Sequence, residues 1–169
     1  MRPKSPLKWV LRQPVRLYDI GAGRLLGRRF LLLTHRGRRS GRAYRTMLEV
    51  VAWDGMRREA IVVSGFGARS NWFLNVTGGG AEEVQIARWR FRPLVRRLGA
   101  EEAARVLSDY EQRNRMIAPL VRAVLSRLAG FRYDGSPRAR RRLVEVLPLV
   151  GFREPMAEGS AVASGQAET

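Results

Sequence analysis

Between Leu31 and Leu48 the sequence reads LLLTHRGRRSGRAYRTML. A short apolar run from Phe30 stops at Thr34, and Arg36, Arg38, Arg39, Arg42 and Arg45 then crowd around Gly37, Ser40 and Gly41. Guanidinium groups keep their charge at neutral pH and form two-pronged hydrogen bonds to phosphate and carboxylate oxygens. Glycine lets the main chain approach a ligand closely and leaves backbone N–H groups free to point at an anion. The chemistry on offer is anion binding, and the plainer alternative is a solvated, basic hairpin loop. The flanking residues predict a strand, a cationic turn and a second strand from Tyr44 to Trp53.

Other reactive side chains are few. The chain has no cysteine, which excludes disulfides, thiolate nucleophiles and cysteine-ligated metals, and its single histidine, His35, argues against a zinc site. His35 sits at a strand end with no sequence feature to supply an orienting carboxylate, so it reads as structural or solvated and a Ser-His-Asp hydrolase is a poor reading. A second stretch with site character is SGFGARSNWFLN, from Ser64 to Asn75. It begins at a strand end and starts a helix at Ser70, whose hydroxyl suits an N-cap. Gly65 and Gly67 lack the third glycine and the βαβ setting of a dinucleotide fingerprint.

The elements that position these residues follow from period and punctuation. Leu48–Trp53 and Ile61–Ser64 flank Asp54-Gly55, a pair suited to positive φ angles, and predict an antiparallel hairpin. Gly78 to Gly80 close the helix that starts at Ser70; two strands follow, over 83–87 and 90–98, with Val84, Ile86, Trp89 and Phe91 as core or cleft residues. Helices are predicted over 100–113 and 116–128, and a last one after Ser136-Pro137, a favourable N-cap and N1 pair. A final strand spans 149–153. Six or so strands at hairpin spacing, with helices between and after them, predict an α+β domain built on a small antiparallel barrel.

Length and charge set the outer limits. One domain accounts for 169 residues, and the formal charge of +17 favours polyanionic partners: nucleic acid, anionic lipid or a highly charged small molecule. Residues 1–28 form a basic amphipathic segment broken by Pro14, suited either to packing across an open face of the domain or to an anionic membrane surface. Residues 29–153 form the folded domain, and 154–169 are small, polar and acidic, with disorder expected. No signal-peptide core and no membrane-spanning run is present, so the expectation is a cytoplasmic protein, with peripheral contact to the cytoplasmic face of a membrane as an option.

With these pieces in order, the sequence resembles the deazaflavin-dependent nitroreductase family. These are split-barrel oxidoreductases that use coenzyme F420 and are related to the flavin reductase and pyridoxamine phosphate oxidase folds. The resemblance spans Phe30 to Arg153 and rests on three stretches: the Leu32–Leu48 turn, the Ser64–Asn75 block, and Val84–Phe91, which is similar to the family's V-x-V-Q strand and the basic strand after it. It implies an α+β split antiparallel β-barrel with peripheral helices. It also implies that Arg38, Arg39, Ser40, Gly41 and Arg42, joined by Arg45, bind the phosphate and acidic tail of the cofactor. Thr46, Met47 and Leu48 would lie along the deazaflavin ring, Ser64, Gly65, Phe66 and Gly67 would offer backbone and hydroxyl contacts, and Trp72 and Asn75 would buttress that loop. Met47 stands where the family usually has proline, Gly65 where some members have lysine, and Phe73 where many have tyrosine.

The implied reaction is hydride transfer to an electron-poor small molecule of quinone, enone, lactone or nitroaromatic type, with the cofactor doing the difficult chemistry. No strong general acid stands out; Ser64, Tyr44, Tyr110 and Tyr133 are the candidate donors, directly or through water, with Ser64 or solvent preferred. FMN is the alternative cofactor, since it also carries a phosphate. Nucleic-acid binding is disfavoured because the basic residues are spread along the chain and form no recognised motif. A homodimer is the assembly that split barrels suggest.

Overall fold

The computed structural model describes residues 27–155. The amphipathic N-terminal segment and the acidic tail expected from the sequence lie almost wholly outside the described residues. Seven strands, β1 (Phe30–Arg36), β2 (Ala43–Asp54), β3 (Glu59–Val63), β4 (Ala81–Ile86), β5 (Trp89–Phe91), β6 (Leu94–Arg97) and β7 (Leu149–Arg153), form one antiparallel sheet in the order β5-β4-β1-β2-β3-β7-β6. Among the described residues four α-helices accompany them: α1 (Asn71–Thr77), α2 (Ala100–Arg113), α3 (Ala118–Ala129) and α4 (Pro137–Val146). This is the split-barrel architecture that the sequence predicts.

β2 carries the topology. Its first half pairs with β1 from Ala43 to Glu49 and its second half with β3 from Val50 to Asp54, so one twelve-residue strand belongs to both halves of the curled sheet. The register shifts between Val50 and Ala52, a bulge that bends the strand where it changes partner. A bulge removes a carbonyl from the ladder, and the guanidinium of Arg113 donates to the Val51 carbonyl at 2.6 Å. Where the curled sheet comes round on itself, Trp53 of β2 stacks on Trp89 of β5, with centroids 5.6 Å apart and planes at 8°. Arg28 lies over both rings, at 5.3 and 4.7 Å from their centroids.

Two cores share the same strands. Inside the curl, Leu31, Leu33, Leu48, Val62, Val84, Ile86, Val150 and Phe152 pack with Trp72, Phe73 and Val76 of α1. On the outer face of the second half-sheet, Val51, Ile61 and Leu149 meet Ala103 and Leu107 of α2, Leu125 of α3, and Leu143 and Val144 of α4. β3 and β7 therefore bury both faces, which is why EAIVV and LVGFR read as near-continuous apolar runs without alternation. Each large side chain so buried contributes about 1.5–3 kcal/mol of transfer free energy.

Local details depart from expectation in two places. The 90–98 strand is two, because Pro93 interrupts it, and the count rises to seven. The Asp54-Gly55 turn places its positive φ at Arg58 (48°) and not at Gly55, and Asp54 Oδ1 holds it by accepting from the amides of Met56 and Arg57. Ser136 caps α4 as predicted, accepting from the Ala139 amide ahead of Pro137.

Two carboxylates are buried, each on an arginine. Glu59, 1% exposed, accepts a two-pronged bond from Arg96 at 2.6 and 2.9 Å, and Arg96 makes a second fork to Glu102. A Cβ at position 151 would overlap the Glu59 carboxylate, so glycine there makes room for the ion pair. Removing Arg96 leaves a buried charge without its partner. Arg96→Met should lower unfolding free energy in urea by about 3 kcal/mol, and Glu59→Leu in the same chain should recover most of it. A loss below about 1 kcal/mol for the single variant would mean that the pair contributes little.

Candidate functional site

The cationic turn joins β1 to β2 and is held from below by a buried polar cluster. Gly37 N–H donates to the Arg42 carbonyl and Gly41 N–H to the Gly37 carbonyl, each at 2.8 Å, which closes the bend. Gly41 sits at φ +63°, a conformation that side chains rarely adopt. Gly37 is needed for space: a Cβ would stand 2.6 Å from Ser40 Oγ and 2.7 Å from the Tyr44 ring. Arg36 reaches back to the Gly41 carbonyl at 2.8 Å and pairs with Glu82 of β4 at 2.7 Å, so it serves the turn's shape.

Beneath the turn, Asn75 of α1 connects three elements. Its Oδ1 accepts from the Arg38 amide and from the Arg38 guanidinium, both at 3.1 Å. Its Nδ2 donates to His35 Nδ1 at 3.0 Å. An amide nitrogen only donates, so Nδ1 bears no proton, and the proton on Nε2 is directed at Thr46 Oγ1, 3.1 Å away. His35 is 3% and Asn75 4% exposed. The Tyr44 ring stacks on the imidazole at 5.9 Å between centroids, and its hydroxyl meets Ser40 Oγ at 3.1 Å.

The strands part company half-way along β2. β3 pairs with β2 only as far as Val50↔Val62, then leaves it; Ser64 N–H turns to the Pro148 carbonyl and the loop 64–67 runs toward the helices. Among the described residues no strand pairs the other edge of β2 from Ala43 to Glu49, which leaves main-chain donors and acceptors along the split. Gly65 abuts Leu128 of α3, and Gly67, at φ +73°, lies against the Val146 carbonyl of α4. Ser64 is fully buried, donating to the Gly67 carbonyl at 2.7 Å and meeting Ser70 Oγ at 2.9 Å.

The structure brings the predicted anion residues together. Arg38, Arg39, Ser40, Gly41 and Arg42 share one exposed bend, and Arg45 follows on β2. Arg39 and Arg42 are exposed and make no side-chain ion pair or hydrogen bond with other described residues. Other positions differ from expectation. Asn75 supports the cationic turn and not the Ser64–Gly67 loop, whose polar brace is Ser70; the Ser70 hydroxyl accordingly makes no cap bond. Trp72 is a core residue against Phe73 and Phe152. Thr46, Met47 and Leu48 do not form one wall, because neighbours on a strand point oppositely: Leu48 lies in the inner core while Met47 packs with Leu32 and Phe30. Phe66 is half-exposed beside the split.

His35 is the site residue that sequence reasoning left without a role, and its strand-end position carried no signal of the Asn75 contact forty residues on. The tyrosines of the helical layer are engaged elsewhere. Tyr110 donates to Glu49 and is pushed up to about 12, by burial first and then by that carboxylate; Tyr133 donates to buried Glu111 and is likewise pushed up to about 12. A surface cleft of about 580 Å³ between α1 and the β5–β6 connection, lined by Phe73, Val76, Arg92 and Arg97, shares no residue with the turn or the split.

Burial holds the His35 pKa below its ordinary 6.5, a shift that Glu82 opposes. The unfolded chain therefore takes up a proton more readily than the native one. The stability contribution is complete above pH 6.5 and is lost as pH falls through the lowered native value. Urea unfolding across that window should show wild type losing stability on acidification more steeply than His35→Gln. Parallel curves would show that His35 does not titrate differently on folding.

Comparison with known proteins adds the family. The profile of the F420H(2)-dependent quinone reductase family matches residues 11–118, more than half of the 169-residue chain. No curated protein matches significantly. Among solved structures, an F420-H2 dependent reductase is similar over 76% of this chain and 96% of its own, at 17% identity and a TM-score of 0.45. One described as a domain-swapped dimer covers 88% of this chain and 100% of its own, at 19% and 0.46. A pyridoxamine 5'-phosphate oxidase-related, FMN binding protein from Nostoc punctiforme covers 85% and 79%, at 14% and 0.39. The matched span runs through the arginine turn, the β2 edge and the Ser64–Gly67 loop, and the chain belongs to the F420H(2)-dependent quinone reductase family, oxidoreductases that use coenzyme F420.

Proposed function

We propose that this protein transfers hydride from reduced coenzyme F420 to an electron-poor small molecule of quinone type, with the cofactor's anionic tail on the 38–42 turn. The observation that carries this reading is the pair of guanidinium groups, Arg39 and Arg42, left without partners among the described residues at the mouth of the split. The donor set suits the cofactor: fixed cations at the turn for a phosphodiester and carboxylates, then the unpaired β2 edge for a flat, polar-edged ring. When bound, coenzyme F420 supplies two electrons as hydride from a carbon centre.

The remaining roles belong to the chain. Arg38, fixed by Asn75, orients the turn, and Arg39 and Arg42 with Arg45 bind the tail. The Ser64–Gly67 loop, braced through Ser64 and Ser70 and packed on α3 and α4, borders the split and limits access of water. Phe66, exposed on that loop, offers an apolar surface to the acceptor. Tyr44 is the better placed of the two proton-donor candidates, because its hydroxyl is at the surface of the turn while that of Ser64 is buried on the Gly67 carbonyl.

Equilibrium binding of oxidised coenzyme F420, followed by fluorescence beside FMN and a DNA duplex, tests the cofactor assignment. Arg39→Ala and Arg42→Ala should each weaken F420 binding roughly tenfold, the scale of one charge-assisted hydrogen bond. Tighter binding of FMN or of DNA would overturn it. Turnover of a benzoquinone, an unsaturated lactone and a nitroaromatic by the reduced coenzyme tests the acceptor. Preference for the quinone is expected, and Tyr44→Phe should lower kcat about tenfold or more with little change in KM. An unchanged kcat would assign the proton to solvent.

A further inference from the structure

We propose that His35 is a positioning residue for the cofactor-binding turn: its unprotonated Nδ1 fixes the orientation of the Asn75 carboxamide, and so supplies the acceptor that holds Arg38 and the bend above it. This rests on the reading of the turn as the cofactor's anion site. The orientation of Asn75 is determined by its partners. Two donors, the Arg38 amide and guanidinium, converge on one end of the carboxamide, so that end is the oxygen, and the NH2 end faces the imidazole. His35 Nδ1 is the acceptor that makes this orientation the satisfied one.

A proton on Nδ1 sets two donors against each other. If Asn75 stays, its NH2 opposes an N–H; if it turns over, its oxygen satisfies His35 but its NH2 then opposes both Arg38 donors. Either way a buried polar contact is broken, and in the second case the turn loses the one of its anchors that holds Arg38. The charged and titratable groups around His35 do not offer a substitute. Tyr44 of β2 presents its ring face, Thr46 of β2 its hydroxyl to Nε2, and Asn75 of α1 its amide. Glu82 of β4 acts at longer range and is already paired with Arg36 of β1, while the Arg38 guanidinium opposes a second positive charge. The turn is thereby competent to bind an anion only while His35 is neutral.

The test uses three chains: wild type, His35→Gln, whose side-chain oxygen can accept from Asn75 without titrating, and His35→Phe, which has no acceptor. Two readouts are followed from about pH 7.5 to about pH 5. One is the protection of the Arg38 amide against hydrogen exchange by NMR, which needs no ligand; the other is affinity for oxidised coenzyme F420. In wild type both should fall on acidification, with affinity dropping roughly tenfold relative to His35→Gln. His35→Gln should keep Arg38 protected across the range, and His35→Phe should lose that protection at every pH. Arg38 protection in wild type that is independent of pH, or retained in His35→Phe, overturns the proposal. If His35→Phe does not fold, wild type against His35→Gln decides. If wild type binds no F420 while the Arg38 amide behaves as described, the positioning role stands and the anion-site reading fails; binding that is lost in Arg39→Ala but matches His35→Gln at every pH leaves the anion site and removes the role of His35.

Discussion

One strand has to serve two half-sheets. β2 is long enough to pair with β1 along its first half and with β3 along its second, and the bulge at Val50–Ala52 lets it bend between them. Everything around the site follows from that division. A strand that changes partner part-way leaves each of its halves with one edge uncovered by the other sheet. The uncovered edge from Ala43 to Glu49 lies next to the turn that starts the strand. The fold therefore places, side by side, unpaired main-chain groups and an arginine-rich loop end.

Such an opening is stable only if the chain around it is tied down by other means. The arginine turn is closed by its own main-chain bonds, but its attachment to the barrel runs through Asn75, Tyr44 and Arg36. The helix that carries Asn75 is seven residues long and is pinned by Trp72, Phe73 and Val76 in the inner core. Gly80, where a Cβ would meet the Arg36 and Asn75 carbonyls, permits the close approach of that helix end to β1. A hydrophobic anchor thus fixes a polar one, and the polar one shapes a site that is itself mostly solvent-facing.

The helical layer uses charge in a different way. Glu111 continues the apolar stripe Ala103–Leu107 of α2 at the next helical turn, yet it is a buried carboxylate. Arg122, Tyr133 and Arg140 converge on it from α3, the following loop and α4, so that one acceptor joins the elements that back the Ser64–Gly67 loop. Buried charge is costly unless paired, and here pairing fixes which helices meet. With Glu59 on Arg96, this places part of the large basic excess inside structural networks, while Arg39 and Arg42 of the turn stay outside them.

Much of this was legible in residue types and spacing. Strand and helix identities followed from period and punctuation, and β7, α2 and the Ser136-Pro137 start of α4 needed no tertiary information, because capping and amphipathic spacing are local effects. The cationic, glycine-hinged character of the 38–42 turn was equally local, because arginine charge and glycine φ freedom are properties of the residues themselves. What only the tertiary structure decided are the contacts between segments distant in sequence. Asn75 reaches Arg38 and His35, Ser70 turns from its cap to Ser64, and Leu48 and Met47 fall on opposite faces. Each depends on which strand edges meet and how the sheet curls, and those are set by the summed packing of two cores. A short sequence window contains no term for that packing.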